Sequence, residues 1–179
     1  DLTKAIGYFK ASNADKGDAF GGSVALSANG STMAIGATHE ASKATGANGD
    51  QSDDSATYAG AVYVFNRTDG VWKQQAYLKA SNSKLVQFAI YPHRVEFGAS
   101  LSLSANGDTL AVGAPGEASN AKGINGDQAN IETPGAGAVY IFTRNSGQWS
   151  QPTYVKASNT YEKANYANNI GVGRYPVNQ

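Results

Sequence analysis

Short runs of alternating apolar and polar residues recur along the chain, and none has the three-to-four spacing of an amphipathic helix. In Gly22–Ser27, Val24 and Leu26 share one side, which predicts a strand with one apolar face. Asn29-Gly30 follows, and then a second run, Thr32–Ala37. Asn-Gly between two such runs predicts a tight hairpin of type I′, in which both central residues have positive φ. Ala59–Arg67 is apolar at every position from Ala61 to Phe65, the pattern of a strand covered on both faces. A short turn ending at Gly70 leads to Trp72–Lys79, whose Lys73, Gln74 and Gln75 suit an outer strand.

The same order then comes round again. Leu101 and Leu103 stand for Val24 and Leu26, and Asn106-Gly107 repeats the turn. Thr109–Ala114, Gly137–Arg144 and Trp149–Lys156 repeat the remaining strands. Aligned without a gap, 20–78 and 97–155 are identical at 32 of 59 positions, a level that duplication produces and chance does not. Lys-Ala-Ser-Asn occurs three times, at Lys10–Asn13, Lys79–Asn82 and Lys156–Asn159. The units are therefore 20–79 and 97–156, joined by a linker, 80–96. Residues 1–19 read as the outer strand of a preceding unit plus a linker, with Lys4–Ala11 resembling a lone fourth strand because Ala5–Ala11 corresponds in sequence to Gln74–Ala80. That predicts Ile6, Tyr8 and Phe9 buried against the first unit. Residues 157–179 read as the partial start of a third unit or a tail, with Asn168–Tyr175 as a degenerate first strand. A repeated four-stranded antiparallel unit of this length is the pattern of a β-propeller blade, so the expected fold is all-β: two full blades plus partial ends, part of a larger ring.

Particular residues carry a family resemblance. Phe20-Gly21 followed by Gly36-Ala37-Thr38, and Phe97-Gly98 followed by Gly113-Ala114-Pro115, resemble the FG-GAP repeat. Gly60–Phe65 and Gly137–Phe142 fit the same repeat, and the resemblance covers residues 20–156. It implies the seven-bladed propeller of integrin α-chains and of many bacterial surface proteins. Many repeats of that family carry a calcium loop between their first two strands. Here that place holds Ser27–Ser31 and Ser104–Asp108, with no carboxylate in one and one in the other. Calcium takes six to eight oxygens, so that site is not carried over.

Composition narrows the function. Leu, Ile, Val and Phe number 31 of 179, whereas Ala is 29 and Gly 21, which suits thin, closely stacked sheets. Fourteen basic residues balance fourteen acidic ones, giving no electrostatic footprint for nucleic acid. No apolar run approaches the ~20 residues of a membrane helix. There is no cysteine, and His39 and His93 are the only histidines. No zinc, phosphate-loop or dinucleotide motif is present. The expectation is a non-enzyme.

The long loops fall between the second and third strands, near 38–58 and 115–136, and the linkers between units lie on the same face. Binding residues gather on loops held by a rigid scaffold. Glu40 and Asp50 recur as Glu117 and Asp127, within a shared Asn-Gly-Asp-Gln. One reading makes these four carboxylates calcium ligands. The other has Asp and Gln side chains satisfying backbone groups within each loop, with no cofactor. Tyr58, with Phe88, Tyr91, His93 and Arg94 of the linker, forms an aromatic-plus-arginine set typical of binding hot spots. Its alternative is a loop packed over the top of the unit.

The sequence thus points to an extracellular or cell-surface binding module, bacterial in type, whose ligand is a protein or glycan. Two alternatives stand beside it. One is a structural assembly subunit whose incomplete ends pair with other chains into a ring or filament, its partners being other copies of itself or other parts of a parent protein. The other is the propeller region of a larger enzyme.

Overall fold

The computed structural model describes residues 7–83, 94–150 and 152–160. Phe88, Tyr91 and His93, and the expected strand Asn168–Tyr175, lie outside them, as does Ile6. The described residues are all-β, without an α-helix, and form two antiparallel sheets.

In the first sheet β1 (Phe20–Leu26), β2 (Thr32–Ala37), β4 (Ala61–Thr68) and β5 (Val71–Lys79) lie side by side in chain order. The expected order of four strands holds. A two-residue strand, β3 (Gly46–Ala47), adds itself to the free edge of β5. In the second sheet β6 (Ser100–Leu103), β7 (Thr109–Ala114) and β8 (Ala138–Asn145) pair in the same way. The fourth strand is divided into β9 (Gln148–Trp149) and β10 (Thr153–Val155), where one continuous strand was expected. Pro152 has no N–H to give the ladder. Its counterpart Gln75 lies where the β4–β5 register already skips.

The hairpins differ from expectation. Gly30 has φ 66° and Gly107 φ 78°, but neither Asn29 nor Asn106 has positive φ. Gly30 N–H donates to the Ser27 carbonyl and Gly107 N–H to the Ser104 carbonyl, both at 2.9 Å. The turn therefore ends on a left-handed glycine, and the asparagine closes it through its side chain. Asn29 Oδ1 accepts the Ser31 N–H at 3.0 Å, and Asn106 Oδ1 accepts the Asp108 N–H at 3.1 Å.

Register assigns every strand residue to a face. In the first repeat one face carries Val24, Leu26, Met33, Ile35, Tyr63, Phe65 and Tyr77; the other carries Ala34, Val62, Val64, Ala76 and Leu78. The second of these packs against Leu101, Leu103, Leu110, Val112, Tyr140, Phe142 and Tyr154 of the second repeat, and together they form the main core. The backbones meet closely there. A Cβ on Gly98 would lie 2.8 Å from the Ala61 carbonyl oxygen, and one on Gly36 would overlap the Gly98 carbonyl oxygen. Ser23 Oγ donates to that same Gly98 oxygen at 2.5 Å.

The other face of the first repeat is covered in part by Phe9 and Ala11. Phe9 sits edge-on to Phe65 and Trp72, with centroids 5.2 and 5.6 Å apart. Tyr8 departs from expectation, being 84 % exposed. Successive side chains of an extended segment point to opposite sides, so with Phe9 turned inward Tyr8 turns out.

Candidate functional site

The long loops begin where β2 and β7 end, and each starts with a buried glutamate. Glu40 is held on both oxygens. Its Oε1 accepts from Asn13 Nδ2 at 3.0 Å and from the Tyr77 hydroxyl at 2.7 Å. Its Oε2 accepts from Lys79 Nζ at 2.6 Å and from the Ser42 N–H at 3.2 Å. In the second repeat Glu117 accepts from Asn82 Nδ2 at 2.8 Å, the Ser119 N–H at 3.2 Å and Lys156 Nζ at 2.6 Å. Both lysines are buried with their glutamates. Burial pulls the Lys79 ammonium below its ordinary range, opposed by the Glu40 charge. Burial, with the same carboxylate, pushes the Tyr77 phenol well up.

This assigns the repeated Lys-Ala-Ser-Asn. Its lysine pairs with the glutamate of its own repeat, and its asparagine crosses to the glutamate of the next. Asn13 Oδ1 also accepts from the Tyr63 hydroxyl at 2.5 Å, and Asn82 Oδ1 from the Tyr140 hydroxyl at 2.6 Å. The serines follow, Ser12 to Gln51 and Ser81 to Gln128. The motif is a latch between consecutive repeats. Its threefold recurrence was the signal for it in the sequence.

The four carboxylates considered as calcium ligands are thus engaged separately. Asp50 and Asp127 are exposed, and each closes its own turn. Asp50 Oδ1 accepts the Ser52 N–H at 2.9 Å, which lowers its carboxyl below the usual range, and Asp127 Oδ1 accepts the Ala129 N–H at 2.8 Å. Among the described residues no three His, Asp or Glu converge as a metal site. The shared asparagine just before has a different task. Asn48 and Asn125, both at positive φ, exchange bonds with the outer strand through Tyr77 and Tyr154.

Of the proposed ligand-contacting set, the structure brings Tyr58 and Arg94 together. The Arg94 guanidinium lies 4.3 Å from the Tyr58 ring centre, and His39 meets the same ring edge-on at 4.8 Å. His39 Nδ1 lies 3.1 Å from the Gly17 carbonyl. A cleft of about 550 Å³ opens beside them, walled by Asp15, Lys16, Asp18 and Asp54 as well as His39 and Tyr58. Desolvation, and then Asp15, Glu40 and Asp18, raise the Asp54 carboxyl. Tyr58 has φ 61°, a left-handed conformation that a bulky side chain rarely takes. Its counterpart is Gly135, at φ 76°, and the counterpart of His39 is Gly116. The duplicated scaffold is satisfied by glycine at both places, so the aromatic pair belongs to the first repeat alone. The site read from the sequence left out His39, Asp15, Asp18 and Asp54. The available signal was the pair of glycines opposite His39 and Tyr58.

The chain matches no family model, and no curated protein matches it.

Proposed function

We propose that the chain is a stretch of FG-GAP-like propeller repeats, two of them complete, within a non-catalytic extracellular or cell-surface module that binds a protein or glycan through its long-loop face. The sheet order, the stacking of one repeat on the other and the latch between them support the propeller part of this reading. The binding part rests on one observation: Tyr58 holds a left-handed backbone, beside an open cleft, at a position where the duplicate repeat uses glycine. Strain of this kind costs about 1–3 kcal/mol and persists where something compensates for it. A half-buried aromatic ring with an arginine across its face and carboxylates alongside suits a sugar ring or a polar peptide.

The test is binding of the labelled chain to a glycan array and to immobilised purified extracellular-matrix proteins, beside Tyr58→Gly. The variant restores the residue type of the other repeat. Its stability is expected to be unchanged or higher by up to about 1 kcal/mol, with binding lost. Equal binding by parent and folded variant, or retention of no glycan or protein by either, would sink the reading.

A further inference from the structure

We infer that the guest of the first repeat's cleft is a lysine side chain of a partner protein, its ammonium taken by Asp18. The inference deepens the proposed function and rests on its reading of this cleft as the binding site. Its test varies Asp18 and the guest's amine rather than Tyr58, so the two fail separately.

Asp18 is 8 % exposed and lines the cleft. Its counterpart in the second repeat is Val95, buried to the same degree at 9 %. The backbone fixes the equivalence. The His39 N–H donates to the Asp18 carbonyl at 3.1 Å, and the Gly116 N–H donates to the Val95 carbonyl at 3.2 Å. The duplicated scaffold is satisfied by an apolar side chain at this place, yet the first repeat puts a carboxylate there. Asp18 Oδ2 accepts the Asp15 N–H at 2.9 Å. No described residue donates to Oδ1, and none forms an ion pair with the carboxylate. Oδ1 is not sealed in, since among the described residues no buried side-chain oxygen lacks a partner. A carboxylate more than nine-tenths buried and without a counter-charge is destabilising, and a cation reaching it from the cleft supplies that counter-charge.

The surroundings select the cation. Asp15 and Asp54 stand exposed beside Asp18, against one base, Lys16, which is itself exposed and pairs with none of them. Desolvation and then the neighbouring carboxylates raise Asp54, and a positive guest relieves that crowding. One free oxygen cannot take both prongs of a guanidinium, whereas an ammonium is a point charge that a single acceptor can hold. Asp18 is nearly buried where Asp15 and Asp54 are exposed, so the charge has to arrive on a narrow stem. Ala41, Thr57 and Tyr58 of the cleft wall suit the methylenes of a lysine. The amine of an amino sugar sits directly on its ring, which is too broad to follow it to a nearly buried oxygen.

The experiment titrates the isotope-labelled chain with acetyl-Gly-Lys-Gly-amide, in which the lysine carries the only charge, and follows the backbone amide NMR shifts. Saturable shifts are expected at Gly17, Asp18, His39 and Tyr58. Acetylation of the peptide's lysine, or Asp18→Asn in the protein, is expected to weaken binding about tenfold or more. Asp18→Val, which installs the residue type of the second repeat, is expected to abolish binding while the spectrum stays that of a folded chain. The arginine peptide and a chitosan oligosaccharide are expected to bind more weakly than the lysine peptide. Absence of a saturable shift, or shifts indifferent to acetylation and to Asp18→Asn, would overturn the inference. Where glycan or protein is nevertheless held through Tyr58, the cleft remains the binding site and only its lysine guest falls. Tighter binding of the arginine peptide or of the oligosaccharide would overturn it too, as would calcium that moves the same amides and expels the peptide.

Discussion

Lys10 and Lys79 occupy the same place in the same four-residue motif, yet they meet opposite surroundings. Lys79 is buried on Glu40 at 2.6 Å, whereas Lys10 is exposed. A buried carboxylate tolerates its charge only while its donors remain, and removing one partner of such a pair costs about 3–5 kcal/mol. Lys79→Met is therefore expected to lower the unfolding free energy by that amount, because Glu40 would keep Asn13, Tyr77 and Ser42 but lose its counter-charge. Lys10→Met is expected to change stability by less than about 0.5 kcal/mol. Urea denaturation of the two variants beside the parent gives both numbers. A small effect at Lys79 would mean that water reaches the pair. In the sequence the three copies of the motif are indistinguishable, and Glu40 read equally well as a metal ligand. Burial separates these readings, and burial depends on residues from three segments that meet only in the fold.

At the scale of elements, alternation in the first strands, one run apolar on both faces and the turn residues between them were enough to place the main strands in order. What they missed has local causes. β3 forms because Asn48 takes a left-handed conformation and trades bonds with Tyr77, a side-chain device that periodicity does not register. The split of β9 from β10 follows from one proline, and the turn at Asn29 is closed by a side chain rather than by two positive-φ residues. The Phe-Gly pairs at Phe20-Gly21 and Phe97-Gly98 look alike in the sequence, and both glycines have positive φ, 94° and 93°. They differ in what stands opposite. Nothing lies within 4 Å of a Cβ built on Gly21, whereas one on Gly98 meets Ala61 and Val62 of the first repeat. Gly21→Ala is expected to cost only the conformational penalty, about 1–2 kcal/mol. Gly98→Ala is expected to cost at least about 2 kcal/mol more, since backbone must move to admit the methyl group. Thermal denaturation of the two alanine variants compares them directly, and equal losses would show that the repeats are not in close contact at this point.

At the scale of the whole chain, the duplication was legible but the direction of stacking was not. Both faces of each sheet are apolar, and only the observed packing shows that the Val62–Val64 face meets the Tyr140–Phe142 face. That packing is expected to tie the two repeats into one cooperative unit. Apolar side chains of both contribute to the main core, and Arg144 of the second repeat reaches Gln75 and Thr32 of the first at 2.8 and 3.1 Å. Trp149 adds a bond from its indole N–H to Gln75 at 3.1 Å. Repeat proteins unfold in one step when the contact between neighbours outweighs what either repeat holds alone, and in separate steps otherwise. Each repeat here has one tryptophan, Trp72 packed beside Phe9 in the first and Trp149 buried at the junction in the second. The single-tryptophan variants Trp72→Phe and Trp149→Phe therefore report one repeat each. Their urea transitions, followed by fluorescence, are expected to agree with each variant's own circular dichroism transition, one midpoint and one slope per variant. A fluorescence midpoint for Trp149 separated from the circular dichroism midpoint of the same variant would show the second repeat unfolding by itself, and the stacked core would then be too weak to join the two.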